Sequence, residues 1–143
     1  MNIAVRYQSR GGNTRAVAEI IAECLDLKAE SIDEPITNRV DVLFIGGGVY
    51  MWDADPKLKE YLEKLDAEKI GQIVAFSTTG GMAKAISRIE EYAHKAGIKM
   101  NEKHLCLKVL LQGHSALGRE GGHLTDKQKT QIKAFTSEVI AGL

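Results

Sequence analysis

Along this chain, apolar segments about the length of a β-strand alternate with segments whose apolar residues recur at helical spacing. Parallel strands need a crossover connection between them, so the alternation predicts an α/β fold, a parallel sheet with helices on both faces. Five strands are expected, over residues 1–7, 28–32, 42–46, 73–77 and 105–111. Residues 42–45, 73–76 and 105–111 are almost continuously apolar, as strands buried on both sides require. The second strand, beside Glu30 and Asp33, reads as an edge.

The helices carry their own punctuation. Val17, Ile20, Ile21, Cys24 and Leu25 mark a first helix over residues 15–25. Asp55 before Pro56 opens a second, with Leu58, Leu62 and Leu65 on one face. Ala85, Ile86, Ile89, Ala93 and Ala96 mark a third, which Gly97 ends. Thr125 and Gln128 form a capping box before Ile132, Phe135, Val139 and Ile140. Only residues 33–41 separate the second and third strands, so any helix there is short or absent. No repeat or linker is visible, and residues 1–143 are read as a single domain.

Composition excludes several classes. Hydrophobic residues make up 44% of the chain and there are 2 prolines, which argues against disorder. Nineteen basic and nineteen acidic residues cancel, so the positive footprint of a nucleic-acid binder is missing. The first strand starts near Met1 without a basic leader, and no apolar run is long enough to span a membrane, so a cytoplasmic protein is expected. Cys24 on the apolar helix face and Cys106 in an apolar strand are expected to be buried thiols. His94, His104, His123 and His114 lack metal-ligand spacing, and the segment from Gly113 to Gly118 lacks the spacing of a nucleophile elbow.

Three expected loops carry the chemistry, because ligands of an open parallel sheet bind at the carboxyl ends of its strands. The first holds Ser9, Arg10, Gly11, Gly12, Asn13 and Thr14 between a strand and a helix. Helix-start N–H groups lack partners within the helix, and the glycines and hydroxyls suit an anion there. Neither the triphosphatase loop nor the dinucleotide fingerprint has this spacing. The second loop runs through Gly46, Gly47, Gly48, Val49, Tyr50, Met51 and Trp52 to Asp53, and two aromatics after three glycines suggest a flat ligand. Tyr50 and Trp52 either stack on that ligand or pack under their own loop. The third loop, Ser77, Thr78, Thr79, Gly80 and Gly81, offers hydroxyls and open backbone, or ends a strand and caps the next helix. A phosphate joined to a planar heterocycle fits the three together.

Over essentially its full length the chain resembles a short-chain flavodoxin. The family's phosphate motif runs from a hydroxyl residue through a glycine to a threonine, and Ser9 to Thr14 is similar to it. The resemblance implies a three-layer sandwich with a five-stranded parallel sheet of order 2-1-3-4-5. It also implies FMN, with phosphate at the first loop and the ring between the other two. Two departures stand out. Gly11 occupies a position where the family often has a hydroxyl, while Arg10 brings a charge that either compensates the phosphate or points into solvent. After Tyr50 there is no glycine to accept a bond from the reduced ring, and the third loop has no covering aromatic. The one-electron-reduced flavin is therefore expected to be less stabilised than in typical flavodoxins.

The function implied is electron transfer between redox partners, with the chemistry in the cofactor rather than in a protein acid, base or nucleophile. The redox partner is not identified. Net neutrality and the long loop 112–124 leave a second reading, an FMN-dependent reductase of a small molecule such as a quinone. A cofactor-free module on the same scaffold is a third. A receiver domain is not indicated, because Tyr7, Gln8 and Ser9 replace its acidic pair and glycines replace its aspartate.

Overall fold

The computed structural model describes residues 1–50, 53–79, 84–109 and 123–143, with Val49, Tyr50 and Thr79 described by their backbone alone. In chain order the elements are β1 Ile3–Tyr7, α1 Asn13–Cys24, β2 Glu30–Ser31, β3 Val40–Tyr50, β4 Asp53–Ala54 and α2 Pro56–Glu63. They continue with β5 Ile70–Thr79, α3 Lys84–Ala96, β6 Lys99–Met100, β7 Leu105–Lys108 and α4 Asp126–Ala141.

The main path of the sheet is β2-β1-β3-β5-β6, with β7 also on β5 and all these pairings parallel. This is the expected 2-1-3-4-5 order once β6 and β7 are taken as two pieces of one interrupted edge. β6 meets Gln72 and Ile73, whereas β7 meets Phe76 through Thr79. Asn101 makes the break: its N–H donates to the Ile73 carbonyl at 2.8 Å and its side chain to Gln72 at 3.0 Å. The piece ahead of it, Lys99 and Met100, is too short and polar to read as a strand. Leu110 and Leu111, expected to continue β7, and most of the loop 112–124 lie outside the described residues.

Alternation along the central strands divides the core. Val42, Phe44, Val74 and Phe76 pack with Val17 and Ile21 of α1 and with Ile132 and Val139 of α4. Leu43, Ile45, Ile73 and Ala75 pack with Leu58 and Leu62 of α2 and with Ile86 and Ile89 of α3. Both faces are covered, which is why these strands read as continuous apolar runs.

The caps follow the expected chemistry. Asp55 accepts from the Lys57 N–H at 2.9 Å, with Pro56 in the first turn. Gly97, at φ 72, ends α3 with Ile98 N–H bonded to the Ala93 carbonyl at 2.9 Å. Thr125 and Gln128 bond reciprocally across the first turn of α4, at 3.1 and 2.9 Å. Thr125→Ala is expected to cost about 1 kcal/mol, read from urea unfolding. A loss below about 0.3 kcal/mol would show that the cap adds little to the packing of α4.

Three expectations change. β2 is two residues rather than five, because no crossover helix fits before β3 and the segment has little to pack against. Cys24, the last residue of α1, is exposed, and Cys106 is only partly buried. Burial still pushes the Cys106 thiol above its ordinary value. The glycine segment after Ile45 is strand, since β3 runs on to Tyr50 and returns as β4, with Tyr50 opposite Asp53 and Val49 opposite Ala54.

Candidate functional site

The carboxyl ends of β1, β3 and β5 lie side by side, with Tyr7 opposite Gly46 and Gly48 opposite Thr78. The start of α1 sits against this edge. Its N-cap is Gly12, at φ 95, a conformation that suits a residue without Cβ. Gly12 brings no side-chain cap bond to this helix start. Ser9 tightens the turn by accepting the Gly12 N–H on Oγ at 3.0 Å. Behind the turn, the buried hydroxyls of Thr14 and Thr78 bond to each other at 2.7 Å, fastening α1 to β5. The first N–H groups of a helix have no carbonyl partner inside it and carry the positive end of its dipole, so the turn is built to receive an anion.

The three glycines of β3 divide by role. A methyl on Gly46 would stand 2.2 Å from the Phe76 ring, and one on Gly47 would stand 2.4 Å from Leu58 Cδ2. These two let the core close. On Gly48 the nearest atom among the described residues would be Thr14 Oγ1 at 3.7 Å, an ordinary contact. Among the described residues Gly48 therefore leaves room beside the helix start that a larger side chain would take.

Arg10 takes neither expected role alone. Its Nε donates to Oδ2 of Asp55, a carboxylate only 1% exposed, while the guanidinium side remains 47% exposed. The pair ties the first turn to the start of α2. Burial pushes the Asp55 carboxyl up, but the Arg10 bond, the Lys57 N–H and the charges of both residues outweigh it and hold it below its ordinary value. Beside this pair a hollow of about 370 Å³ is lined by Gln8, Ser9, Arg10, Ser31 and Lys57. A larger one of about 610 Å³ continues between α2 and the β2–β3 connection, where a crossover helix is missing. It is farther from the helix start and holds none of the expected site residues.

The flavodoxin domain model matches residues 4–134, from β1 into α4. The chain belongs to the flavodoxin domain family. Solved structures similar to it include a flavodoxin from the domain Archaea, at TM-score 0.79 and 18% identity over 99% of this chain and 98% of that one. Flavodoxin 2 from Bacillus cereus matches at TM-score 0.75 and 15% identity over the whole of both chains. Rubredoxin oxygen:oxidoreductase from Desulfovibrio gigas matches at TM-score 0.72 and 14% identity, over 98% of this chain and 35% of that one. None of the curated proteins compared matches the chain.

Within this flavodoxin domain, the structure brings Ser9, Gly11, Gly12, Asn13, Thr14, Gly48 and Thr78 to one edge. Ser77, expected on a hydrogen-bonding rim, is fully buried and donates Oγ to the Gly47 carbonyl at 2.7 Å. Its hydroxyl joins two strands inside the sheet instead of facing the rim. The backbones of Val49, Tyr50 and Thr79 continue the same strand ends. Met51, Trp52, Gly80 and Gly81 lie outside the described residues, and so do the expectations about ring stacking and reduced-flavin stability that depend on them.

Sequence reasoning missed the ions around this edge. Asp53 accepts from Arg88 Nε at 3.0 Å and from Lys59 Nζ at 3.3 Å. The Arg88 bond, followed by the Ala54 N–H, holds its carboxyl far below the ordinary range. No local pattern links residue 53 to residue 88 or residue 10 to residue 55; both links depend on how the helices are stacked. Among the described residues there is no cluster of three or more metal-ligating side chains, and no helix long and apolar enough to cross a membrane.

Proposed function

We propose that this chain, acting as one domain, binds FMN at the carboxyl edge of the sheet and carries electrons between redox partners. The observation that carries the reading is the glycine-opened start of α1, without a side-chain cap, beside the open face of Gly48. A phosphate monoester bears roughly two negative charges near neutrality, which suits those N–H groups and that dipole. In this reading Ser9, Gly11, Gly12, Asn13 and Thr14 hold the phosphate. Arg10 keeps its turn in place through Asp55 and adds positive charge. Gly48 leaves room on β3 for the ligand, with Gly47 packed beneath it against Leu58, while Val49, Tyr50, Met51 and Trp52 flank the ring on one side. Thr78, Thr79, Gly80 and Gly81 flank it on the other, with Ser77 supporting from within the sheet. Bound flavin supplies one- and two-electron redox chemistry, and the protein supplies position and electrostatics.

The test is titration of purified protein with FMN, followed by flavin fluorescence. Stoichiometric quenching is expected, with Gly48→Val weakening binding at least about tenfold, or about 1.4 kcal/mol. The variant should keep its unfolding free energy to within about 0.5 kcal/mol, because among the described residues the added side chain meets only Thr14 Oγ1, at an ordinary distance. Wild-type protein that leaves FMN fluorescence unchanged would favour a cofactor-free module. The neutral balance of nineteen basic and nineteen acidic residues supports a second reading, a reductase of a small molecule such as a quinone. Rapid reduction of the bound flavin by NADH or NADPH alone would select it.

A further inference from the structure

The segment leaving the aromatic stretch is anchored at three successive residues, each to a different part of the molecule. β4 contains only Asp53 and Ala54 and meets β3 at two positions, too little pairing to hold a strand by itself. Asp55 is held by Arg10 of the first turn, and Ala54 is buried in the core beside Leu58. Asp53 remains. It is the residue paired with Tyr50, and its carboxylate is gripped by Arg88 through both Nε, at 3.0 Å, and Nη2, at 3.4 Å. Lys59 of α2 adds a contact at 3.3 Å.

Arg88 is itself held. Its Nη1 donates to Glu91 at 2.6 Å, and Lys95 contacts the other oxygen of Glu91 at 3.2 Å. Tyr92, on the same helix, donates to Glu63 of α2 at 3.4 Å and lies under the Lys95 ammonium. An isolated surface ion pair contributes little, but a network with a forked guanidinium at its centre fixes geometry as well as charge. This network spans α3, α2 and β4, and its free end is the carboxylate opposite Tyr50.

We infer that Arg88 is a positioning residue: acting through Asp53, it holds the β3–β4 pairing, with Tyr50 opposite Asp53 and Val49 opposite Ala54, in place for the ring end of the ligand. The part concerning the ligand rests on the FMN reading above; the part concerning the pairing does not. The hydrogen bonds of Arg88 go to Asp53 and Glu91, on the β4 side of the site, so its influence should reach the ring and not the phosphate.

Two measurements on Arg88→Leu, with Asp53→Asn as a second variant of nearly unchanged shape, test this. By NMR, amide exchange at Val49, Tyr50 and Ala54 should speed up by about tenfold, while amides of β1 and α1 keep their rates. Affinities for FMN and for riboflavin, which lacks the phosphate, should fall by the same factor, about fivefold to tenfold. Arg88→Lys, which keeps the charge without the fork, should recover part of both effects. Unchanged exchange at those three amides in both variants would overturn the inference. Loss of FMN affinity with riboflavin affinity intact would overturn it too, by placing the effect at the phosphate. If wild-type protein binds neither flavin, the FMN reading fails, and the exchange rates still decide whether Arg88 holds the β3–β4 pairing.

Discussion

Alanine at Gly46 is expected to destabilise the protein by about 1–3 kcal/mol, and alanine at Phe76 by about 3–5 kcal/mol. The two residues occupy one space. Gly46 lies on the α1 face of β3, where the Phe76 ring of β5 covers it, and an added methyl would meet three ring carbons at 2.2, 2.3 and 2.6 Å. A fully buried aromatic ring between two strands and a helix has nowhere to retreat, so overpacking must move backbone or rotate the ring off its minimum. Removing the ring leaves a cavity instead. In the double variant the methyl fills part of that cavity, so the combined loss should fall short of the sum by about 1 kcal/mol or more. Urea unfolding of the four proteins measures it. Additivity to within about 0.3 kcal/mol would show that the ring has room to shift, and that Gly46 is not required by packing.

Arg10→Ala should cost about 1–3 kcal/mol at neutral pH, since it leaves a buried carboxylate without its ionic partner. The larger loss of a wholly buried pair is not expected, because the Arg10 side chain is 47% exposed and screened by water. The pH dependence identifies the cause. The Asp55 carboxyl is depressed in the folded state, so its contribution is complete above the unfolded-state value of about 4 and is lost as pH falls through the folded one. Without Arg10, burial, already the largest single influence, is opposed only by the Lys57 N–H and charge, and the carboxyl moves up. The gap between wild type and variant should therefore be widest near neutrality and close as acid protonates Asp55 in both. A gap that stays constant from pH 7 to pH 3 would place the loss in packing of the Arg10 stem.

Some of this site could be read along the chain because its causes are local. Gly12 and the hydroxyls around it announce a turn into a helix, Asp55 before Pro56 announces a cap, and Thr125 with Gln128 announces another. Each depends on atoms within a few residues. The burial of the central strands was legible for a related reason: residues 42–45 and 73–76 lack a polar alternation, whereas the order 2-1-3-4-5 was implied by the resemblance to flavodoxins. The three consecutive glycines were harder. Their spacing suggested one loop, but Gly46 and Gly47 serve the packing of Phe76 and Leu58, and Gly48 alone opens outward. Nothing in three identical residues distinguishes them until the opposite face of each is known. Cys24 misled in the same way, since its helical position is apolar by periodicity while the last residue of α1 is left exposed.

Local chemistry along the chain was sufficient to specify the four helices, the caps of α2 and α4, the central parallel strands and the glycine turn into α1, because hydrogen bonding and apolar periodicity act over a few residues. Tertiary packing alone decided that Arg10 reaches Asp55, that Ser77 turns inward to Gly47, and that Arg88 grips Asp53. Those contacts join residues 30 to 45 positions apart. Their partners are chosen by how helices stack on the sheet, and no short-range pattern encodes that distance.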